Sequence, residues 1–453
     1  MSATPVETAP ASAELPAPEA LEHVIEQALA TATRAGASAA EATASAALGL
    51  SASVRMGEVE TLEHHRRRDL SITVFFGQRT GSASTTDFRE AAVAEAVEAA
   101  CRIARFTAED PYSGLPERER LASTFPDLDL YHPWALDAEG AIDLALACEG
   151  AAREQPGITN SEGAGIDTHA GVIALGNTHG FLASERGSRH SIGCAVIGGE
   201  GDAMQRDFWH TVARAADDLE PAVDVGRRAA ARTLARLGAR QIATTECPVL
   251  FAPEMARSLI GHLVGAVRGS ALYREASFLK DRLGEAIFPA FVRLHEQPHR
   301  PRALGSCAFD REGVATAARD LVRDGVLQGY VLDTYAARRL GMATTANAGG
   351  VHNLTLEPGE ASFDELVARM ERGLIVTEMM GQGVNTVTGD YSRGAAGYWV
   401  EDGAISHPVQ EITVAGRLQD MYAGIVALGN DLDTRSSIRT PSILIDRMTI
   451  AGS

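Results

Sequence analysis

The stretch LSASVRMGEVETLEHHRRRDLSITVFFGQRTGSAST, residues 50–85, decides the fold class. Apolar and polar residues alternate along it, most clearly at Leu70, Ile72, Val74 and Phe76, and Gly57 and Gly77 punctuate it. A period of two sends successive side chains to opposite faces, so the spacing predicts three or four antiparallel strands with one face buried. The densest basic run of the chain, HHRRR at 64–68, falls between two strand-like segments and reads as a solvated hairpin end.

Before this stretch, Leu21, Val24, Ile25, Ala28 and Leu29 recur at helical spacing and predict an amphipathic helix ending near Gly36. Residues 1–20 are rich in Ala, Pro, Ser, Thr and Glu and hold too few large apolar side chains to offset the entropy of ordering them, so a disordered tail is expected. After it, Asp87 reads as a helix cap with Glu90 as its box partner and Val93, Val97, Cys101 and Ala104 along one face. A second helix is expected over about 137–154, strands over 158–215, and a long amphipathic helix over 218–241. These elements make an N-terminal α/β domain, residues 21–240, with an antiparallel-rich mixed sheet.

A second domain is expected over 245–453. It opens with a buried-type strand, CPVLFAP, followed by a helix at 253–267. Short strands broken by glycine follow, with one helix at SFDELVARMERG. The fold class is therefore α+β, with a C-terminal domain that is mainly antiparallel β with a few helices. A chain of 453 residues suits two such domains, since single cores stop growing at about 250–300 residues.

The formal charge of −19 disfavours contact with phosphate backbones, so nucleic acid is not an expected partner. Five cysteines without a CxxC pair read as reduced, packed thiols. No apolar run approaches the roughly 20 residues that span a bilayer, and residues 1–20 lack the charge and apolar core of a leader, so no membrane contact and a cytoplasmic location are expected.

One literal catalytic motif occurs: HEQPH, residues 295–299, spells the HExxH pattern of zinc proteases. That pattern needs both histidines on one helix face, and Pro298, with Pro289 and Pro301 flanking, breaks such a helix. A surface loop is the expected reading. GQGVNT lacks the third glycine of a dinucleotide loop, and Ser188 and Ser191 beside His190 read as strand-end polarity rather than a triad. Two glycine-flanked segments remain open. In VTGDYSRGAAGYWVEDG, Asp390, Tyr391 and Arg393 fit either a peptide or partner contact or a tight hairpin with a local salt bridge. In NAGGVHN, Gly349 and Gly350, with His352 and Asn353, could let an extended chain lie against the sheet.

The runs ARSLIGHLVGAVRGSALYREASFL, FDREGV, RDGVLQGYVLDTYAARRLG, AGGVHN, VTEMMGQGVNTVTGDYSRGAAGYWVEDG and GNDLDTRSSI resemble the TldD/PmbA metallopeptidase family over nearly the whole chain after the tail. The resemblance implies a complex of two related subunits that degrades small or unfolded peptides. In it a TldD-type chain holds zinc through an HExxxH helix and a cysteine near the C-terminus, with the glutamate as base. Aligned on Gly261 and His262, Arg257 stands where the first histidine would be, Ser258 replaces the glutamate, His262 alone matches, and no cysteine follows Cys307. A catalytic zinc normally takes three protein ligands, and a guanidinium donates no lone pair.

The expectation is therefore a chain with no catalytic residue and no metal or cofactor of its own, with Arg257, Ser258 and His262 as degenerate metal-site positions. Zinc is expected in a TldD-type partner, as a heterodimer or with this chain as a homodimer, and a peptide is the expected substrate. Alone the chain is expected to be inactive. A regulatory binding protein of the DNA gyrase modulator type, working through protein contacts, is the second reading.

Overall fold

The computed structural model describes residues 14–452. Of the disordered tail expected over 1–20, residues 1–13 lie outside them, and Pro18–Ala20 are helical instead. Helix α1 (Pro18–Arg34) begins three residues before Leu21, because the fixed φ of Pro18 suits the first helical turn. It is followed by β1 (Ala39–Arg55), β2 (Glu58–Phe76), β3 (Arg79–Thr85) and α2 (Glu90–Phe106). Then come α3 (Ala138–Arg153), β4 (Ile158–Asn177), β5 (Leu182–Gly198), β6 (Gln205–Ala213) and α4 (Ala222–Ala235).

The six strands form one sheet in the order β3-β2-β1-β4-β5-β6. Every pairing in it is antiparallel, so the sheet is not mixed. Three further expectations need correction. HHRRR is no hairpin end but the middle of β2, paired with Leu50 through Ala46 of β1, because backbone pairing with β1 carries the strand on past the point where its buried face ends at Leu70. Asp87 does not cap α2: its carboxylate accepts from the backbone N–H of Arg89 and holds the Arg89 guanidinium, so the helix starts at Glu90. The long helix shortens to α4, which starts after Pro221 and ends before Gly238 at φ +75°.

Alternate residues of β1 explain the layering. Ala40, Ala42, Ala44 and Ala46 are buried in one core with α1 and α2, while Val54 on the same face joins the core of α3 and α4. Both helix pairs thus cover one face, and α3 and α4 cross at backbone contact: a Cβ at Gly226 would lie 1.9 Å from the carbonyl oxygen of Cys148. The opposite face presents Ser45, Ala47, Gly49, Ser51 and Ser53 and stays partly open.

The second half begins with β7 (Thr245–Phe251), α5 (Pro253–Ala266), α6 (Gly269–Tyr273), β8 (Leu294–Glu296), β9 (Arg319–Arg323), β10 (Val326–Leu327) and α7 (Thr334–Arg339). It continues with β11 (Leu354–Leu356), α8 (Phe363–Met370), β12 (Gly373–Met380), β13 (Asp390–Glu401), β14 (Ala404–Arg417), α9 (Leu418–Ala423), β15 (Ile425–Leu428), β16 (Ile438–Arg439) and β17 (Ile443–Ala451). One sheet runs β10-β9-β8-β11-β16 and another β14-β13-β12-β7-β17-β15. An added pairing of β14 with β17 closes β14, β13, β12, β7 and β17 into a barrel.

Helix α5 follows directly from the central strand β7 and lays Ala256, Leu259, Ile260, Leu263 and Ala266 into the barrel core beside Val249, Phe251, Leu374 and Tyr422. On the other side α8, opened by a complete Ser362–Glu365 capping box, packs Leu366, Val367 and Met370 on Leu250, Ile375 and Val400. Four of the five cysteines are buried and Cys307 is half-buried, all as free thiols. Among the described residues no helix is long and apolar enough to cross a membrane.

Candidate functional site

With its apolar stripe in the barrel, α5 turns Glu254, Arg257, Ser258 and His262 towards the seam between the domains. There Phe208, Trp209, Met255 and Met379 line a cleft of about 530 Å3 together with Arg232, Arg236, Arg257 and Arg435. Arg232 and Arg236 make ion pairs across the seam, while Arg257 and Arg435 share one carboxylate on its C-terminal side. Arg232 binds Asp207 at 3.3 Å and Glu254 at 2.7 Å, Arg236 binds Glu378 at 2.5 Å, and Arg257 binds Asp433 at 2.5 Å. Asp433 also accepts from Arg435 at 2.9 Å, and Arg435 donates to the carbonyl of His210 and stacks 3.9 Å from the Trp209 ring centre. Burial raises the Asp433 carboxyl, but hydrogen bonds from Arg435 and the charges of Arg435 and Arg257 outweigh it and hold it below the usual range.

His262 lies deeper. Its ring meets Tyr391 edge-on at 6.0 Å, and its buried Nε2 has no hydrogen-bond partner. Burial, then the Arg393 guanidinium, lowers its pKa, while burial raises the Tyr391 phenol to about 12. Arg393 reaches from β13 to α5, donating to Ser258 Oγ at 3.4 Å and to the Gly381 carbonyl at 3.1 Å. Ser258 and His262 are thus flanked by two guanidiniums, and the arrangement offers one imidazole lone pair and no carboxylate beside it. Among the described residues, no three His, Cys, Asp or Glu side chains are placed to share a metal ion.

In the glycine-flanked segments Gly349 and Asp390 are exposed, while two of the singled-out side chains turn inward. Tyr391 is buried at 2% exposure and Asn353 at 0%, so neither side chain presents a surface. Asn353 donates to the Gln297 carbonyl and Ser306 Oγ and accepts from the Gly305 N–H, tying its own turn to two points of the β8–β9 connection. His352 hydrogen-bonds the Ala346 carbonyl at 2.8 Å and Cys307 Sγ at 3.2 Å. Gly349 and Gly350 form the turn at φ +107° and +123°, a region that favours glycine. Asp390 is exposed and faces Arg417 at 4.0 Å at the open end of the β13–β14 pair, rather than a partner within its own segment.

HEQPH is not a helix, as its prolines dictate, but neither is it a surface loop. His295 and Glu296 belong to β8, and Glu296 is a buried carboxylate that accepts from Arg319 Nε, Asn347 Nδ2 and the His352 N–H. His299 instead hydrogen-bonds Thr316 Oγ1. His190 is likewise no strand end: it sits buried within β5, between Thr168 Oγ1 and the His132 carbonyl. Sequence reasoning missed Asp433, Arg435 and Trp209, whose partners across the cleft lie 176 or more residues away. Only the polar run GNDLDTRSSI marked the first two.

Three family models cover this architecture in order: PmbA/TldA metallopeptidase domain 1 at residues 40–104, the central domain at 131–237 and the C-terminal domain at 244–452. The chain belongs to the PmbA/TldD family. It is 45% identical over 438 residues to the metalloprotease PmbA of Escherichia coli O157:H7, covering 96% of this chain and 97% of that one. A crystal structure from Bacteroides thetaiotaomicron VPI-5482, described as a candidate modulator of DNA gyrase, superposes with a TM-score of 0.89 at 28% identity, covering 95% of this chain and 99% of that one. TldE of Thermococcus kodakarensis shares the fold with a TM-score of 0.85 at 21% identity, over 95% of this chain and 100% of that one.

Proposed function

We propose that this chain is a non-catalytic subunit of a TldD-type zinc metallopeptidase and helps to shape the chamber in which small or unfolded peptides are held. The observation that carries the reading is the Arg257–Asp433 pair. At the helix position where the family resemblance places a zinc-binding histidine stands a guanidinium locked to its own carboxylate. A permanent cation there opposes a divalent ion, His262 alone cannot hold one, and Ser258 supplies no carboxylate to activate water. These residues do not fit zinc, so no catalytic step is assigned to this chain. Its groups instead bind and orient: the apolar side chains of the cleft accept peptide side chains, while the Arg232 and Arg236 ion pairs fix the domain seam.

The experiment is to purify the chain alone and co-expressed with a TldD-type subunit, measure zinc by elemental analysis, and assay peptide cleavage. Zinc and chelator-sensitive turnover are expected only with the partner. Stoichiometric zinc and turnover in the chain alone would refute the reading. The description of the Bacteroides relative favours a regulatory role as the second reading. Recovery from lysate separates the two, a TldD-like chain at equal ratio supporting the first and a topoisomerase subunit the second.

A further inference from the structure

The basic run HHRRR finds its place on the open face of the N-terminal sheet. Directly opposed residues of antiparallel strands share a face, so His65, Gly49, His169 and Arg189 form one row across β2, β1, β4 and β5, and Arg67, Ala47, Gly171 and Gly187 form the next. The glycines make a floor on which basic side chains lie flat. A Cβ at Gly171 would stand 3.4 Å from His169 Nε2, and one at Gly187 would stand 3.1 Å from an Arg214 Nη. Arg214 crosses this floor to donate to the carbonyls of Ser188 and Leu304, and its buried Nε has no partner. Together with Leu130 and Leu304, the second row and the His169 and Arg189 end of the first enclose a groove of about 620 Å3.

The charge in this groove runs against that of the chain. Arg67, Arg186, Arg189 and Arg214 line it against Asp69 and Glu185. Burial pushes the Glu185 carboxyl up to about 7 despite the nearby Arg214, which removes part of the opposing charge. Partial burial, then the charges of Arg67, Arg189 and Arg214, lower the His169 pKa, so three guanidiniums act on one imidazole. Arg67 and Arg189 are exposed and stand three strand intervals and one row apart, about 16 Å, a gap that two arginine side chains are long enough to narrow.

Carboxylates bound the trough at both ends, Glu63 with Asp167 on one side and Asp69 on the other. A polyphosphate or nucleic acid would be repelled at these ends, whereas a ligand with one anionic group and a neutral remainder fits. We propose that this groove binds the free C-terminal carboxylate of a peptide between Arg67 and Arg189, with the adjoining peptide backbone over the glycine floor. The choice of a peptide rests on the chamber reading above, and planar guanidiniums suit a carboxylate.

The test is calorimetric titration of the full chain without any partner subunit, using trialanine as free acid, trialanine amide, an end-blocked aspartyl peptide and inorganic phosphate. The free acid is expected to bind at least ten-fold more tightly than each of the others. Arg67→Ala and Arg189→Ala are each expected to weaken it at least ten-fold with an unchanged thermal melt, and Arg67→Lys to fall between. Equal binding of acid and amide, no binding of either, or unaltered affinity in both alanine variants would overturn the proposal. Tighter binding of phosphate or of the blocked aspartyl peptide would overturn the C-terminal assignment. Because no TldD-type chain is present, failure here leaves the subunit reading standing, and failure to assemble with such a chain leaves this result standing.

Discussion

Arg257 and Asp433, 176 residues apart in sequence, meet at 2.5 Å between helix α5 and the strand-poor segment before β16. Asp433 is 5% exposed at its side chain and serves two guanidiniums at once. Removing one partner of such a pair leaves charge without compensation, which costs about 3 kcal/mol or more. Asp433→Ala is therefore expected to lower unfolding free energy by about 3 kcal/mol in urea titration. A loss below about 1 kcal/mol would show the pair to be solvent-screened.

His262 carries the opposite expectation. Its buried Nε2 is unpartnered beside an aromatic edge, so replacing the imidazole with a phenyl ring removes an unsatisfied polar atom whose burial costs about 1–3 kcal/mol. His262→Phe is expected to raise the urea midpoint and leave the peptide cleavage of a TldD-type co-complex unchanged. A metal-ligating histidine would lose both zinc and activity on this substitution.

Gly226 marks the crossing of α3 and α4. Its absent Cβ leaves room for the Cys148 carbonyl, and Gly226→Ala must push the helices apart, since 1.9 Å lies far inside contact distance. The small gain in helix propensity, about 1 kcal/mol, cannot offset this. Reduced thermal stability by calorimetry is the expected result, and an unchanged melt would mean that the helix pair slides freely.

Glu41 and Glu312 give a pH dependence. Burial, with the nearby Asp310 charge, raises Glu41 from 4.5 to about 7, and burial with Asp310 and Asp333 raises Glu312 to about 7 against its hydrogen bond from Thr334. A carboxyl whose folded pKa is raised binds more protons folded than unfolded. Its stabilising contribution is present below pH 4.5 and is lost as pH rises through 7. Unfolding free energy is expected to fall between pH 5 and pH 8 in this respect, and Glu41→Gln to flatten the slope. An unaltered slope in that variant would remove Glu41 from the account.

Local patterns carried much of the architecture. The alternation at Leu70 to Phe76 placed β2 and β3, and the helical spacing after Pro253 placed α5, because each depends on near neighbours along the chain. Asp87 misled because a competing guanidinium two residues away took its carboxylate. The pairing of β1 with β4, the closure of β14 onto β17 and the partner of Arg257 were not legible, since each joins segments remote in sequence. At the site, the change of residue type at 257 and 258 was readable, but the seam of arginines and the orphan nitrogen of His262 are properties of assembled surfaces.

The double pairing of β1 limits how the gene for this chain can drift in length. Strand β1 is locked on one side to β2 and on the other to β4 over more than a dozen consecutive partners each. Deleting one codon within it would swap Ala40, Ala42 and Ala44 for their polar neighbours beneath the helices and turn the sheet inside out along both borders. Tolerated insertions and deletions should therefore cluster at its two ends, such as the Met56–Gly57 bend, and leave the span between them constant in residue number.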